Sequence, residues 1–152
     1  MARMHSKSKG KSGSTKPDVK DKPDWVKLKP KEIEDLVVSF AKEGMSPSVI
    51  GITLRDQYGI PSADIVAGKT ITQILKDNKL QPGLPEDLGN LIRSAVKLLK
   101  HLELNKKDRT AKRGHQLTVS KIRRLAIYYK GKKLLPMDWK YSDEKAALLV
   151  RW

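Results

Sequence analysis

Cysteine is absent from the 152 residues, which excludes disulfides, thiolate zinc sites, iron–sulfur clusters and a cysteine nucleophile. Nothing in the chain calls for an oxidising compartment. Aromatic side chains are scarce, with 3 Trp, 4 Tyr and 1 Phe, and hydrophobic residues reach only 38%. That is below the usual globular share, so part of the chain is expected to be tail rather than core. No apolar run nears the roughly 18 residues of a membrane-spanning helix, and the opening MARMHSKSKGKSGSTK lacks the apolar stretch of a secretory signal. A soluble, cytoplasmic protein is expected. Trp25, Trp139 and Trp152 fall outside the amphipathic pattern of a membrane-surface helix, so no membrane partner is expected. Acidic residues are also in short supply, 17 Asp plus Glu against 32 Lys plus Arg, a net charge of +15. Such an excess favours a polyanionic partner, because Lys and Arg release counterions condensed on phosphate backbones. At this length one sizeable core or two small ones fit, but not a large multidomain enzyme.

The charge is segregated along the chain. Residues 1–31 hold 10 basic and 3 acidic residues, 32–92 hold 5 and 9, 93–133 hold 14 and 2, and 134–152 hold 3 and 3. Two concentrated basic blocks flanking an acidic segment are more than solubility requires. Residues 1–24 form an arm of Lys, Ser, Gly and Thr that lacks the apolar side chains to offset its own ordering entropy, so it is expected to be disordered alone. Its Lys7, Lys9 and Lys11 are candidates to order against nucleic acid.

Residues 25–81 read as a three-helix module. Pro30 suits a first helical position, Glu32, Glu34 and Asp35 load the first turn, and Gly44 stops a helix over about 30–43 with Ile33, Val37, Phe40 and Ala41 inward. Ser46 and Pro47 start a second helix carrying Val49, Ile50, Ile52 and Leu54 up to Gly59, and Lys69 or Thr70 starts a third with Ile71, Ile74 and Leu75 before Asn78. Helix, short turn and helix resembles helix-turn-helix spacing, which supports an alternative reading as a DNA-binding or nucleoid-associated protein. The acidic balance argues against it, since Arg55 stands nearly alone on the second helix.

Residues 82–152 change character. Leu88, Leu91, Ile92, Ala95, Leu98, Leu99 and Leu102 recur at intervals of three and four, predicting a long helix from Pro85 to about Asn105. After the polar segment NKKDRTAKRG, residues 105–114, Thr118, Val119, Ile122, Leu125, Ala126 and Tyr129 mark a second. An antiparallel helical hairpin or bundle follows, so the fold class is all-α. On the second helix Arg113, Lys121, Arg124 and Tyr128 share a face apart from the apolar stripe, where a phenol among cations suits nucleic acid. Tyr129 is expected in the core and Tyr128 on the surface.

The junction carries Asn105, Lys106, Lys107, Asp108, Arg109 and Thr110. An acidic residue among so many cations repels phosphate unless it caps the helix or accepts from a 2′-OH or base amino group. Both explanations of Asp108 stay open. His5, His101 and His115 show no metal-ligand spacing, and no phosphate loop, nucleophile elbow or carboxylate pair appears. No enzyme, cofactor, metal or small-molecule substrate is expected.

The block HLELNKKDRTAKRGHQLTVSKIRRLAIYYK, with MARMHSKSKGKSGSTKP, PDWVKLKPKEIEDLVVSFAKEGMSPSVIGITLRDQYGIP and LPMDWKYSDEKAALLV, resembles the universal small-subunit ribosomal protein S-fifteen family in its archaeal and eukaryotic form. The bacterial form resembles only the part from about Pro82. The resemblance implies a structural ribosomal component that binds small-subunit rRNA at a helical junction of the central domain. It also implies help in assembling the platform, contact with neighbouring ribosomal proteins, and a bridge to large-subunit rRNA. The family's minor-groove histidine and aspartate fall on His101 and Asp108, and its second-helix arginine and tyrosine on Arg124 and Tyr128. The bacterial motif has serine three residues after the aspartate, where this chain has Ala111; Thr110 stands next to it.

Overall fold

The computed structural model describes residues 21–149. Lys7, Lys9, Lys11 and all but the last four residues of the expected basic arm lie outside them. The chain divides between Gly83 and Leu84 into two compact units, and every regular element among the described residues is a helix.

In the first unit α1 is Pro30–Lys42, where Pro30 loses no hydrogen bond at the first turn and the Lys29 N–H donates to Glu32 Oε2 at 2.9 Å. Ile33 and Val37 are fully buried, while Phe40 and Ala41 pack only partly. Gly44, at φ 87°, ends the helix with paired bonds from the Gly44 N–H to the Ala41 carbonyl and from the Met45 N–H to the Phe40 carbonyl. α2, Pro47–Tyr58, buries Ile50 and Leu54 and leaves Val49 and Ile52 about half exposed. Ser46 occupies its N-cap position, although its hydroxyl makes no capping bond.

The module holds four helices where the sequence pattern predicts three. α3 is the single turn Ala63–Ala67, burying Ala63 and Val66; five residues are too few for a three-and-four repeat to register. α4, Ile71–Asp77, starts at a reciprocal cap in which the Thr70 N–H donates to Gln73 Oε1 at 2.9 Å and Thr70 Oγ1 accepts from the Gln73 N–H at 3.3 Å. Its Ile74 and Leu75 complete a core with Val26, Ile33, Val37, Ile50, Leu54 and Ile60.

In the second unit α5 is Glu86–Leu104 and α6 is Arg109–Gly131, joined by four residues. Their antiparallel course is fixed at the far end, where the Tyr129 hydroxyl of α6 donates to both oxygens of Asp87 in the first turn of α5 at 2.7 Å. Partial burial, and then that carboxylate, push the phenol up to about 12. Leu88, Ile92 and Ala95 meet Ile122 and Ala126 along the seam. α7, Asp143–Leu149, packs on α5 and adds Ala146 to this core.

α6 begins at Arg109, directly after Asp108, so the polar segment over 105–114 divides between the turn and the first residues of the helix. Asp108 caps it and holds the apolar-poor first turns in helix without burial. Its other end closes with Lys133 at φ 57°, the Lys133 N–H on the Lys130 carbonyl and the Leu134 N–H on the Tyr129 carbonyl. This is the paired-bond ending that glycine usually makes.

Candidate nucleic-acid interface

The α5–α6 turn gathers seven of the candidate residues. His101 lies in the last turn of α5, Asn105 caps that helix, Lys106 and Lys107 form the turn, Asp108 is the N-cap of α6, and Arg109 and Thr110 open α6. Two backbone bonds close the turn, one within the end of α5 and one from the N-cap of α6 back to the C-cap of α5. The Asn105 N–H donates to the His101 carbonyl at 2.8 Å and the Asp108 N–H donates to the Asn105 carbonyl at 3.1 Å.

Asp108 divides its oxygens between two tasks. Oδ1 accepts from the Ala111 N–H at 2.9 Å and from the Thr110 hydroxyl at 2.7 Å, which is the helix cap. Oδ2 lies 3.0 Å from His101 Nε2. The Ala111 amide, then the Thr110 hydroxyl, then the imidazole hold the carboxyl well below the usual aspartate range. Two of the four acceptor positions of the carboxylate serve the cap and one faces histidine, so one remains on Oδ2. Lys106, Lys107 and Arg109, all exposed, flank Asp108 in the sequence.

Arg113, Lys121, Arg124 and Tyr128 continue along α6, all exposed, with Tyr128 at 55%. They share the outer face of the helix but not the turn: Tyr128 lies 20 residues beyond Asp108, about 30 Å along a helix rising 1.5 Å per residue. The candidates therefore form a turn cluster and a helix-face stripe. Tyr129 is half-buried against the seam while Tyr128 stays outside, as the periodicity predicts.

Two side chains that the sequence reading does not single out join the stripe. Lys132 Nζ lies 5.9 Å from the centre of the Tyr128 ring, a cation over a π-face. Its position four residues after Tyr128 is the available signal. Ile127, 70% exposed, sits beside them with no polar reason for its place.

In the N-terminal module two cations are paired locally. Arg55 Nε donates to Asp56 Oδ1 at 2.7 Å, and Lys69 lies 3.2 Å from Glu34 and 3.6 Å from Asp77. The exposed residues of α2 include the apolar Val49 and Ile52, and its one cation, Arg55, is paired with Asp56. Among the described residues no helix is long and apolar enough to cross a membrane.

An all-helical chain whose cationic block is a long hairpin closed by a capped polar turn falls in the class of small basic ribosomal proteins. Residues 1–60 match the family described as Ribosomal S13/S15 N-terminal domain, and residues 71–149 match Ribosomal protein S15. The small ribosomal subunit protein uS15 of Methanococcoides burtonii is 50% identical over 150 residues, covering 99% of each chain. Those of Methanocella arvoryzae and Methanococcus vannielii are 49% and 47% identical over the same length and coverage. The chain belongs to the uS15 family of ribosomal proteins. That family is structural and non-enzymatic.

Proposed function

We propose that this chain is a structural constituent of the small ribosomal subunit. It binds small-subunit rRNA at a helical junction of the central domain, helps assemble the platform beside neighbouring ribosomal proteins, and contributes to a bridge with large-subunit rRNA. It works in the cytoplasm as part of the ribosome. Family membership supports the ribosomal setting. The observation that carries the RNA reading is the α5–α6 turn, where a carboxylate with one spare acceptor position is flanked in sequence by the exposed Lys106, Lys107 and Arg109.

The chemistry of that turn suits RNA. The wide, shallow minor groove of an A-form helix displays 2′-hydroxyls and base amino groups, both able to donate to Asp108 Oδ2, while the flanking cations meet phosphate. Capping and RNA contact use different oxygens of Asp108, so they are compatible. Thr110 gives its proton to Asp108 and keeps oxygen lone pairs, which offers a hydroxyl acceptor one residue before Ala111. The outer stripe of Arg113, Lys121, Arg124 and Tyr128 supplies phosphate contacts and one stacking face. Lys7, Lys9 and Lys11 add charge from the arm. The DNA-binding alternative has little support in α2, where Arg55 is taken up by Asp56.

The test is titration of the full chain with an rRNA central-domain fragment and with duplex DNA of equal length in rising salt. Binding to the RNA is expected to be much the tighter, with a log–log salt slope of roughly −6 to −7 for about eight phosphate contacts. Equal affinity for both would sink the ribosomal reading.

A further inference from the structure

Asn105 ends α5, yet its side chain reaches back over the last turn. Nδ2 donates to the His101 carbonyl at 3.2 Å and lies 3.3 Å from His101 Nδ1. The carbonyl decides which way the amide faces, because turning it over would set Oδ1 against another oxygen with no proton between them. The NH2 group therefore also faces the imidazole, and Nδ1 is the acceptor. A neutral imidazole carries its one proton on the other nitrogen. That nitrogen, Nε2, is the one 3.0 Å from Asp108 Oδ2.

We propose that Asn105 is a positioning residue: its amide fixes His101 as the Nε2–H tautomer and holds the ring so that the Asp108 carboxylate meets RNA in a single orientation. Asp108 alone would grip one edge of the ring and leave it free to pivot about that bond. The amide supplies the second point. Asn105 thus acts through His101 and Asp108, in the way that outer partners orient histidines at other polar sites. The proposal rests on the RNA-binding reading of the turn, although the tautomer itself is a property of the free protein.

The experiment is nitrogen NMR of the full chain carrying 15N-labelled histidine, at about pH 8.5, where an ordinary histidine is neutral. His101 is expected to show a protonated Nε2 and an unprotonated, hydrogen-bonded Nδ1. In Asn105→Leu the two signals should move towards averaged values. In Asn105→Asp, which replaces the donor with an acceptor of equal size, the proton should move to Nδ1. Affinity for the cognate rRNA fragment should then fall on the order of tenfold, the scale of losing one hydrogen bond to a charged group. A proton on Nδ1 of the wild-type ring, or an Asn105→Leu spectrum identical to wild type, overturns the proposal. So does an altered tautomer in Asn105→Asp with undiminished RNA affinity. A fixed Nε2–H ring in a protein that ignores the RNA would instead defeat the RNA-binding reading and leave the tautomer assignment standing.

Discussion

The N-terminal module and the basic hairpin differ in their use of charge: residues 25–81 hold 8 basic and 7 acidic residues, whereas 93–133 hold 14 and 2. The module consists of helices of 5 to 13 residues around one apolar core, its basic and acidic residues nearly balance, and two of its cations are paired close by, Arg55 on Asp56 and Lys69 between Glu34 and Asp77. The hairpin buries Leu88, Ile92, Ala95, Ile122 and Ala126 along one seam between helices of 19 and 23 residues, leaving Leu104 and Ile127 exposed. Residues 93–133, which include most of it, carry 14 basic residues against 2 acidic ones, so most of its positive charge has no acidic counterpart within the block. One of those two acids, Asp108, is spent on the turn itself. The contrast concentrates positive charge on one element: the long seam frees an outer face about 34 Å long, from the helical rise, and leaves it cationic.

The largest expected effect divides the two regions. Ile122→Ala removes a fully buried seam residue and Ile50→Ala a fully buried module residue; each should cost about 2–5 kcal/mol in denaturant unfolding of its own unit. Only Ile122→Ala should also weaken rRNA binding. An equal loss of binding in Ile50→Ala would erase the distinction.

At the turn, His101→Ala and Asp108→Ala should each reduce discrimination between cognate and scrambled RNA about tenfold, whereas Lys106→Ala should weaken both RNAs alike and lower the salt slope by about 1. The reverse pattern would reduce Asp108 to a helix cap. Its titration gives a separate check. A carboxyl whose folded value is depressed adds stability that is present above its unfolded value, about 3.9, and is lost as pH falls through the folded value. The gap in thermal midpoint between wild type and Asp108→Ala should therefore persist from neutral pH to about 5 and close only below about 4, in a pH series of melting curves.

Smaller effects refine the picture. Tyr129→Phe removes the bond to Asp87 that ties the open end of the hairpin and should cost about 1 kcal/mol in denaturant unfolding, with RNA discrimination unchanged. Lys79 and Lys133 hold the left-handed positions that end α4 and α6, at φ 56° and 57°. Glycine at either should add roughly 0.5–1 kcal/mol to the stability of its unit, since a side chain is disfavoured there. At Lys133 it should also cost RNA affinity, measured by titration, because the charge at the end of the stripe is lost. Lys79→Gly should leave affinity alone.

Much of this architecture is legible in the sequence for a physical reason. α5 announces itself through Leu88 to Leu102 at helical spacing between Pro85 and Asn105, and α4 through Thr70 and Asn78, because burial and capping leave marks on residue type. The start of α6 carries no apolar rhythm, since residues 109–114 are held by the Asp108 cap and none is buried; only the residue type at Asp108, one of whose two readings is a cap, marks it. α3 is too short to have a rhythm. Lys79 and Lys133 stand where glycine would be the signal. At the turn, the residue types were readable but their pairing was not: His101 looks solitary in the sequence, and only closure of the four-residue connection brings it to Asp108 and Asn105.

Hydroxyl-radical footprinting of the full chain on intact small-subunit rRNA tests the central claim most directly. The account predicts protection at one helical junction of the central domain, weakened by Asp108→Ala at the turn and by Arg124→Ala along the stripe. Protection confined to other domains, or a footprint indifferent to both substitutions, would contradict it.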